Sequence, residues 1–409
     1  MEMTTTDCDI SADAASVGRD ATSPSASWGG VLAMTLCVFA LIASEFMPVS
    51  LLTPMAASLH VAEGLVGDGI AISGALAVVT SLSISTLASS VNRKKLLLGL
   101  TALMALSGAT IALAPNYAIY MLGRALIGMV VGGFWSMSAA TAMRLVPPDR
   151  VSRALAIFNG GNALATVVAA PLGSYLGSII GWRGAFICLA PLALLAFIWQ
   201  WISLPVMAIE ERATNFGSVF SLLKNPLVAL GLSAVGIFFM GQFALFTYVR
   251  PFLETITRVD VSMLSLILLA MGVTGFIGTA LIGRFLKMGF YRTLTAIPLL
   301  MTVIAVTLIA LATSVVAVAV LLGIWGLVAT AAPVGWWTWV AQTIPNDAEA
   351  GGGLMVAVVQ FCIALGSTAG GVIFDASGYR STFVASAILL LVAAFLTFAT
   401  SRANQAQFL

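Results

Sequence analysis

Charge is what this sequence has least of. Its 409 residues include 18 Lys+Arg and 16 Asp+Glu, 8% of the chain, where soluble domains carry about 25%. Those charges balance to +2 and form no basic stripe, which excludes nucleic acid as a main ligand. Cysteine is scarce too: Cys8, Cys37, Cys188 and Cys362 show no CxxC spacing and no His-rich neighbour. Neither a disulfide framework nor a metal cluster is indicated, and no cofactor is expected. A single histidine, His60, stands in a loop. Without a second His, a Ser-His or Cys-His arrangement or a ligand cluster, an enzyme is the weaker reading.

What fills the chain instead is hydrocarbon, 60% of residues with a mean hydropathy of +1.07. Crossing a bilayer takes about 20 apolar residues. Twelve such windows follow one another, near 29–52, 66–91, 95–114, 117–143, 153–179, 184–204, 227–250, 261–283, 292–312, 314–341, 351–373 and 381–400. The expected class is an all-α polytopic membrane protein. Residues 1–27 are rich in Ser, Thr and Ala, with five acids against Arg19. They read as a disordered tail, and without a basic start and a short apolar core they do not read as a signal peptide.

Lysine and arginine in short loops resist translocation. With the N-terminus inside, thirteen of the 18 fall on the cytoplasmic side, Arg183, Arg250, Arg258 and Arg380 fall outside, and Arg124 lies within a span. Both termini are therefore expected in the cytoplasm, across the inner membrane of a bacterium.

The longest polar connection, 205–226, divides six spans from six. Sliding the second half back by 197 positions aligns Phe46 with Phe243, Pro54 with Pro251, Lys95 with Arg292, Pro148 with Pro345, Gly173 with Gly370, Gly181 with Gly378, Arg183 with Arg380 and Phe186 with Phe383. Two parallel six-helix bundles, 28–204 and 227–400, are expected, followed by a tail over 401–409. A site for a small molecule belongs between them near the midplane.

Within the spans an ionisable group is expensive, and so a functional candidate. Glu45 lies seven residues before Leu52, and Arg124 seven after Tyr117. At about 1.5 Å per residue, both lie roughly 10 Å deep, which allows an ion pair if spans one and four are neighbours. A carboxylate placed so takes up and releases protons; the alternative is a static salt bridge. The 197 offset puts Gln242, which does not titrate, opposite Glu45. Asn159, Asn162, Gln242, Thr247 and Gln360 are neutral polar residues suited to an uncharged ligand, or to helix-to-helix hydrogen bonds. Phe243, beside Gln242, is the better candidate to stack on a planar ring; Trp336, Trp337 and Trp339 suit a membrane-interface belt. Pro171 with Gly173 can kink span five at a gate.

Several strings carry a family resemblance. RALIG at 124–128 is similar to the fourth-span arginine motif of the major facilitator superfamily, and APLGSYLGSIIGWRGAF at 170–186 resembles the span-five motif of its twelve-span drug:proton antiporters. EFMPVSLLTPMA at 45–56, GGFWSMSAATAMRLVPP at 132–148, GQFALFTYVRP at 241–251 and PVGWWTW at 333–339 resemble bacterial purine ribonucleoside efflux pumps. The resemblance, over 28–400, implies a carrier exporting inosine, adenosine, guanosine or analogues against protons; Glu45 and Arg124, by their depth, are the residues expected to handle the proton, and a monomer is expected. Sugar or multidrug efflux is the alternative. Two departures bear on gating. Asn92, Arg93, Lys94 and Lys95 replace the usual Asp-Arg pair and Gly, which implies a weaker inner-gate relay. Ala170, Pro171, Leu172, Gly173 and Ser174 replace Gly-Pro with a following Gly-Gly, and leave the direction of exchange open.

Overall fold

The computed structural model describes residues 27–88, 91–147, 150–207, 221–344 and 348–406. Residues 1–26 of the expected tail and 208–220 of the expected linker lie outside them. Among the described residues there is no strand. Helices run α1 Trp28–Leu59, α2 Glu63–Ala88, α3 Arg93–Ala112, α4 Tyr117–Leu145, α5 Val151–Ile187, α6 Leu189–Ser203, α7 Pro226–Phe246, α8 Val249–Phe252, α9 Val261–Met288, α10 Phe290–Ala310, α11 Val315–Ala329, α12 Ala332–Thr343 and α13 Ala348–Ala406. Helix is what hydrocarbon dictates, because it satisfies every backbone group internally. The starts are set by side-chain caps: Asn92, Asn116, Asn225 and Asp260 accept from the amides of Lys94, Ile119, Leu227 and Met263.

Gly160–Ser203, helical but for the turn at Cys188, and Gly351–Gln405 run for 44 and 55 residues. At about 1.5 Å per residue either would far exceed a bilayer about 30 Å thick, so each must turn back. Each does so at a left-handed glycine, Gly181 (φ 73°) and Gly378 (φ 74°). Packing confirms the reversal: Gly161 lies on Thr35 and Gly173 on Ser50, while Ser203 returns to Gly29. In the second half Gly366 lies on Met240, and beyond the turn Ser386 donates back to the carbonyl of Gly241 at 2.6 Å. The chain therefore makes twelve passes over the described residues, and Trp28 and Ala406 emerge on one face, here the terminal face; the opposite one is the distal face.

α1 runs to Leu59, seven residues past the expected end, so Glu45 lies fourteen residues from its distal end and not seven. Pro48, Pro54 and Pro171 sit inside unbroken helix. The break in α5 falls at Gly181, ten residues beyond the proline expected to kink it.

Three apolar cores hold the bundle. One is built from passes seven to twelve and takes in Val49 and Ile70; two are built from passes one to six, the distal one taking in Tyr248. Outward faces stay apolar: Leu106, Trp201, Ile202, Val303 and Phe395 are more than half exposed, as lipid-facing side chains are. Trp336 and Trp339 correct the belt expectation. Both are buried in the core, Trp339 donating to the Tyr291 hydroxyl at 3.2 Å, while Trp337 alone of the three is exposed.

Candidate functional site

Mid-depth in the seam between the halves, α1 offers Glu45 and Phe46 and α7 offers Gln242, Phe243 and Phe246. The Gln360 amide of α13 donates to Glu45 Oε1 at 3.5 Å, joining a carboxylate of the first half to an amide of the second. Beside it, Phe46 and Phe243 approach with ring centroids 6.1 Å apart, and Phe246 stands 6.3 and 5.8 Å from them. The two equivalent rings of the repeat thus meet across the seam. Gln242 Oε1 is buried with no hydrogen-bond partner, an arrangement that costs about 1–3 kcal/mol unless something fills it.

Arg124 is fully buried on α4, but it does not hold Glu45 as an ion pair. Its Nε donates to the Gly69 carbonyl at 3.0 Å and its Nη1 to the Ser44 carbonyl at 3.1 Å, tying α4 to α2 and α1. Its Nη2 and the neighbouring Ser44 hydroxyl are both buried and unpartnered. The guanidinium therefore keeps a free donor one residue from the carboxylate. Close approach of these helices rests on Gly128, where any Cβ would strike the Ser73 backbone.

A family model described as Major Facilitator Superfamily matches residues 34–363. The chain belongs to the major facilitator superfamily. It is 63% identical over 383 residues to the "Transcription regulatory protein OpdE" of Pseudomonas aeruginosa, covering 93% of this chain and 95% of that one. It is 38% identical over 376 residues to the "Purine ribonucleoside efflux pump NepI" of Salmonella enteritidis, covering 92% and 94%. Among solved structures, an inward-facing, unoccupied bacterial homolog of the human lysosomal transporter Spinster superposes with TM-score 0.72 at 17% identity, covering 93% of this chain and 98% of that one. The nucleoside transporter NupG superposes with TM-score 0.72 at 14% identity, covering 91% and 99%. At such identities these two likenesses speak for the fold alone.

In this superfamily member the remaining expected residues scatter. Thr247 is fully buried, its hydroxyl 3.2 Å from that of Ser367, which makes it a helix tie of the kind the polar-glue reading describes. Asn162 is half-buried beside Gly161, which packs on Thr35; that level is ten residues, about 15 Å, from Glu45 toward the terminal face. The side chain of Asn159 lies outside the described residues. Arg93 is buried as the first residue of α3, and Lys94 gives its amide to the Asn92 cap at 2.9 Å. Pro171 is buried, and Gly173 packs on Ser50 and Met47. The reading of the sequence passed over Phe46, noted only as a repeat match, and Asp68, half-buried on α2. The rule that flagged Glu45, an acid inside a span, flags Asp68 as well.

Proposed function

We propose that this carrier is a proton-coupled antiporter that exports purine ribonucleosides such as inosine, adenosine and guanosine, or their analogues, across the bacterial inner membrane, both termini facing the cytoplasm. The observation that carries the reading is the Glu45–Gln360 contact spanning the two halves beside the Phe46–Phe243 pair. A group touching both halves senses their relative position, and protonation of Glu45 then biases which arrangement is favoured. Ionised, Glu45 has the free Nη2 of Arg124 to turn to; protonated, it donates to the Gln360 amide oxygen. A planar base can stack on the Phe46 or Phe243 ring once the two tilted rings part. Gln242 Oε1, lacking a donor, accepts from a ring N–H or exocyclic amine.

The name of the Salmonella relative supports the substrate class. The regulatory name of the Pseudomonas relative is compatible with a carrier, since a pump that sets the cytoplasmic level of an effector alters transcription without touching DNA. Sugar or drug export remains the alternative, because amides and aromatic rings serve those ligands also.

Radiolabelled inosine uptake into inverted membrane vesicles, with and without an imposed pH gradient, tests the reading. Expected is gradient-driven accumulation that competing guanosine suppresses and sugars or lipophilic cations do not. No inosine signal from folded protein overturns the purine assignment; accumulation that ignores the gradient overturns the antiport.

A further inference from the structure

α1 carries two prolines inside unbroken helix, Pro48 and Pro54. A helical amide bonds the carbonyl four residues back, and proline has no N–H to give. The carbonyls of Ser44 and Ser50 are therefore left without their helical donors. Each receives an arginine instead: Arg124 Nη1 donates to the Ser44 carbonyl at 3.1 Å, and Arg250 Nη1 donates to that of Ser50. One chemical device is thus used twice on the same helix, with different consequences. Arg124 belongs to the first half and gives its Nε to Gly69 of that half at 3.0 Å, so it ties the half to itself. Arg250 belongs to α8 of the second half, and its bond crosses the seam.

The crossing lies where the halves are packed together. Val49 and Ile70 join the core of the second half, and Tyr248 joins the distal core of the first. The core nearer the terminal face is built, among the described residues, from first-half side chains alone. In this structure the seam is therefore shut on the distal side. All four residues of α8 are buried there. Arg250, 6% exposed, also holds Glu254 Oε1 at 2.7 Å, in the π-turn Leu253–Thr257 that follows α8. Its charge is thus balanced within its own segment. Removing one partner of a buried ion pair strands the other at high cost, whereas drawing Ser50 away from Arg250 breaks one hydrogen bond and strands no charge. A contact made and broken in every cycle requires that. The offset of 197 puts Thr53 opposite Arg250, so the device has no mirror image in the first half.

We propose that Arg250 and the Ser50 carbonyl freed by Pro54 form the latch of the distal gate, holding the two halves together on that face and parting when the gate opens. Arg124, on the carbonyl freed by Pro48, is its fixed counterpart. The inference rests on the reading of this chain as an alternating-access carrier, and not on the identity of the cargo. A hydrogen bond to a charged group sets the closed-to-open ratio of such a gate by about ten- to hundredfold.

The test is pulsed electron spin distance measurement on the reconstituted full chain. Spin labels replace Ala62 and Ser377, exposed at the distal ends of the two halves, with the four native cysteines removed. Pro54→Ala returns an amide to the Ser50 carbonyl and leaves every charge in place. Expected is a long-distance population whose ratio to the short one rises severalfold over the parent, with no loss of Tm. Arg250→Met combined with Glu254→Gln removes the latch and its counterion together, and is expected to raise the ratio about ten- to hundredfold. Pro48→Ala, which returns a donor to the Ser44 carbonyl inside one half, is expected to leave the ratio as it is. Should the double variant not fold, Pro54→Ala decides alone. A parental ratio in Pro54→Ala, a parental ratio in the folded double variant, or an equal rise in Pro48→Ala each overturns the proposal; absence of inosine transport does not touch it.

Discussion

The first pass of each half began from the same repeat, and the two now differ in three ways. α1 is one helix of 32 residues through two prolines to Leu59. Its counterpart stops at Phe246, resumes as α8 and runs into a π-turn, Leu253–Thr257. Both then end on a left-handed non-glycine residue, His60 and Arg258; their separation is one more than the 197 that relates Phe46 to Phe243. A π-turn takes up one extra residue in a helix, so it accounts for the slip. The titratable chemistry is one-sided as well: Glu45 and Arg124 of the first half correspond to Gln242 and Leu321 of the second. Pseudo-symmetry supplies the frame, and divergence at a few mid-depth positions leaves the carboxylate and the guanidinium in one half while each half keeps its phenylalanine at the seam.

Substitutions that break this asymmetry are expected to act most strongly. Glu45→Gln should lower gradient-driven inosine accumulation by about two orders of magnitude, the scale of losing a positioned proton-transfer group, with nucleoside counterflow retained. Adding Gln242→Glu to that variant moves the carboxylate to the second half; accumulation should stay low, because the Arg124 guanidinium, with its unpartnered Nη2, lies beside Ser44 and not beside Gln242. Recovery in vesicles would refute a role for Arg124.

The aromatic pair tests what the halves share. Phe46→Ala and Phe243→Ala should each raise the inosine KM by about two- to tenfold, one stacking contact being worth about 0.5–1.5 kcal/mol, and the double variant should not cost the plain sum since the two rings touch each other. A smaller effect is expected at the paired turns. Gly181→Ala and Gly378→Ala have nothing within 4 Å of the added Cβ, so only the backbone is strained. Both residues are extended at positive φ (ψ 164° and −178°), a region nearly confined to glycine that costs about 1–3 kcal/mol, and Tm in detergent should fall by similar amounts in both. Comparable or smaller is Ser367→Ala, which removes two interhelical ties, to the Thr247 hydroxyl and the Gly67 carbonyl, each worth about 0.6 kcal/mol, and should lower Tm modestly without changing KM.

Much of this was legible in the chain. Hydrocarbon length fixed the number of passes, because no alternative satisfies a backbone in lipid, and the 197-residue offset located the paired glycine turns and the paired phenylalanines. Pass ends were less legible: helix continues to Leu59 in α1, so Glu45 lies farther from the helix end than the apolar window suggests. Partners were not legible. Equal depth suggested a Glu45–Arg124 ion pair, yet depth says nothing of rotation about the helix axis, and the guanidinium points to carbonyls on α2 and α1. Thr247 passed the same composition test as Gln242, and only its rotation toward Ser367 separates a helix tie from an open amide.

The sequence by itself therefore determined the class, the twelve passes, the doubled half and the rarity of buried charge, since these follow from solvation costs summed along the chain. Tertiary structure decided which residues meet: Glu45 with Gln360, Phe46 with Phe243, and Ser367 of α13 with Gly67 of α2. Those choices depend on helix rotation, tilt and close glycine packing between segments some 200 to 300 residues apart, and no local property of the chain encodes them.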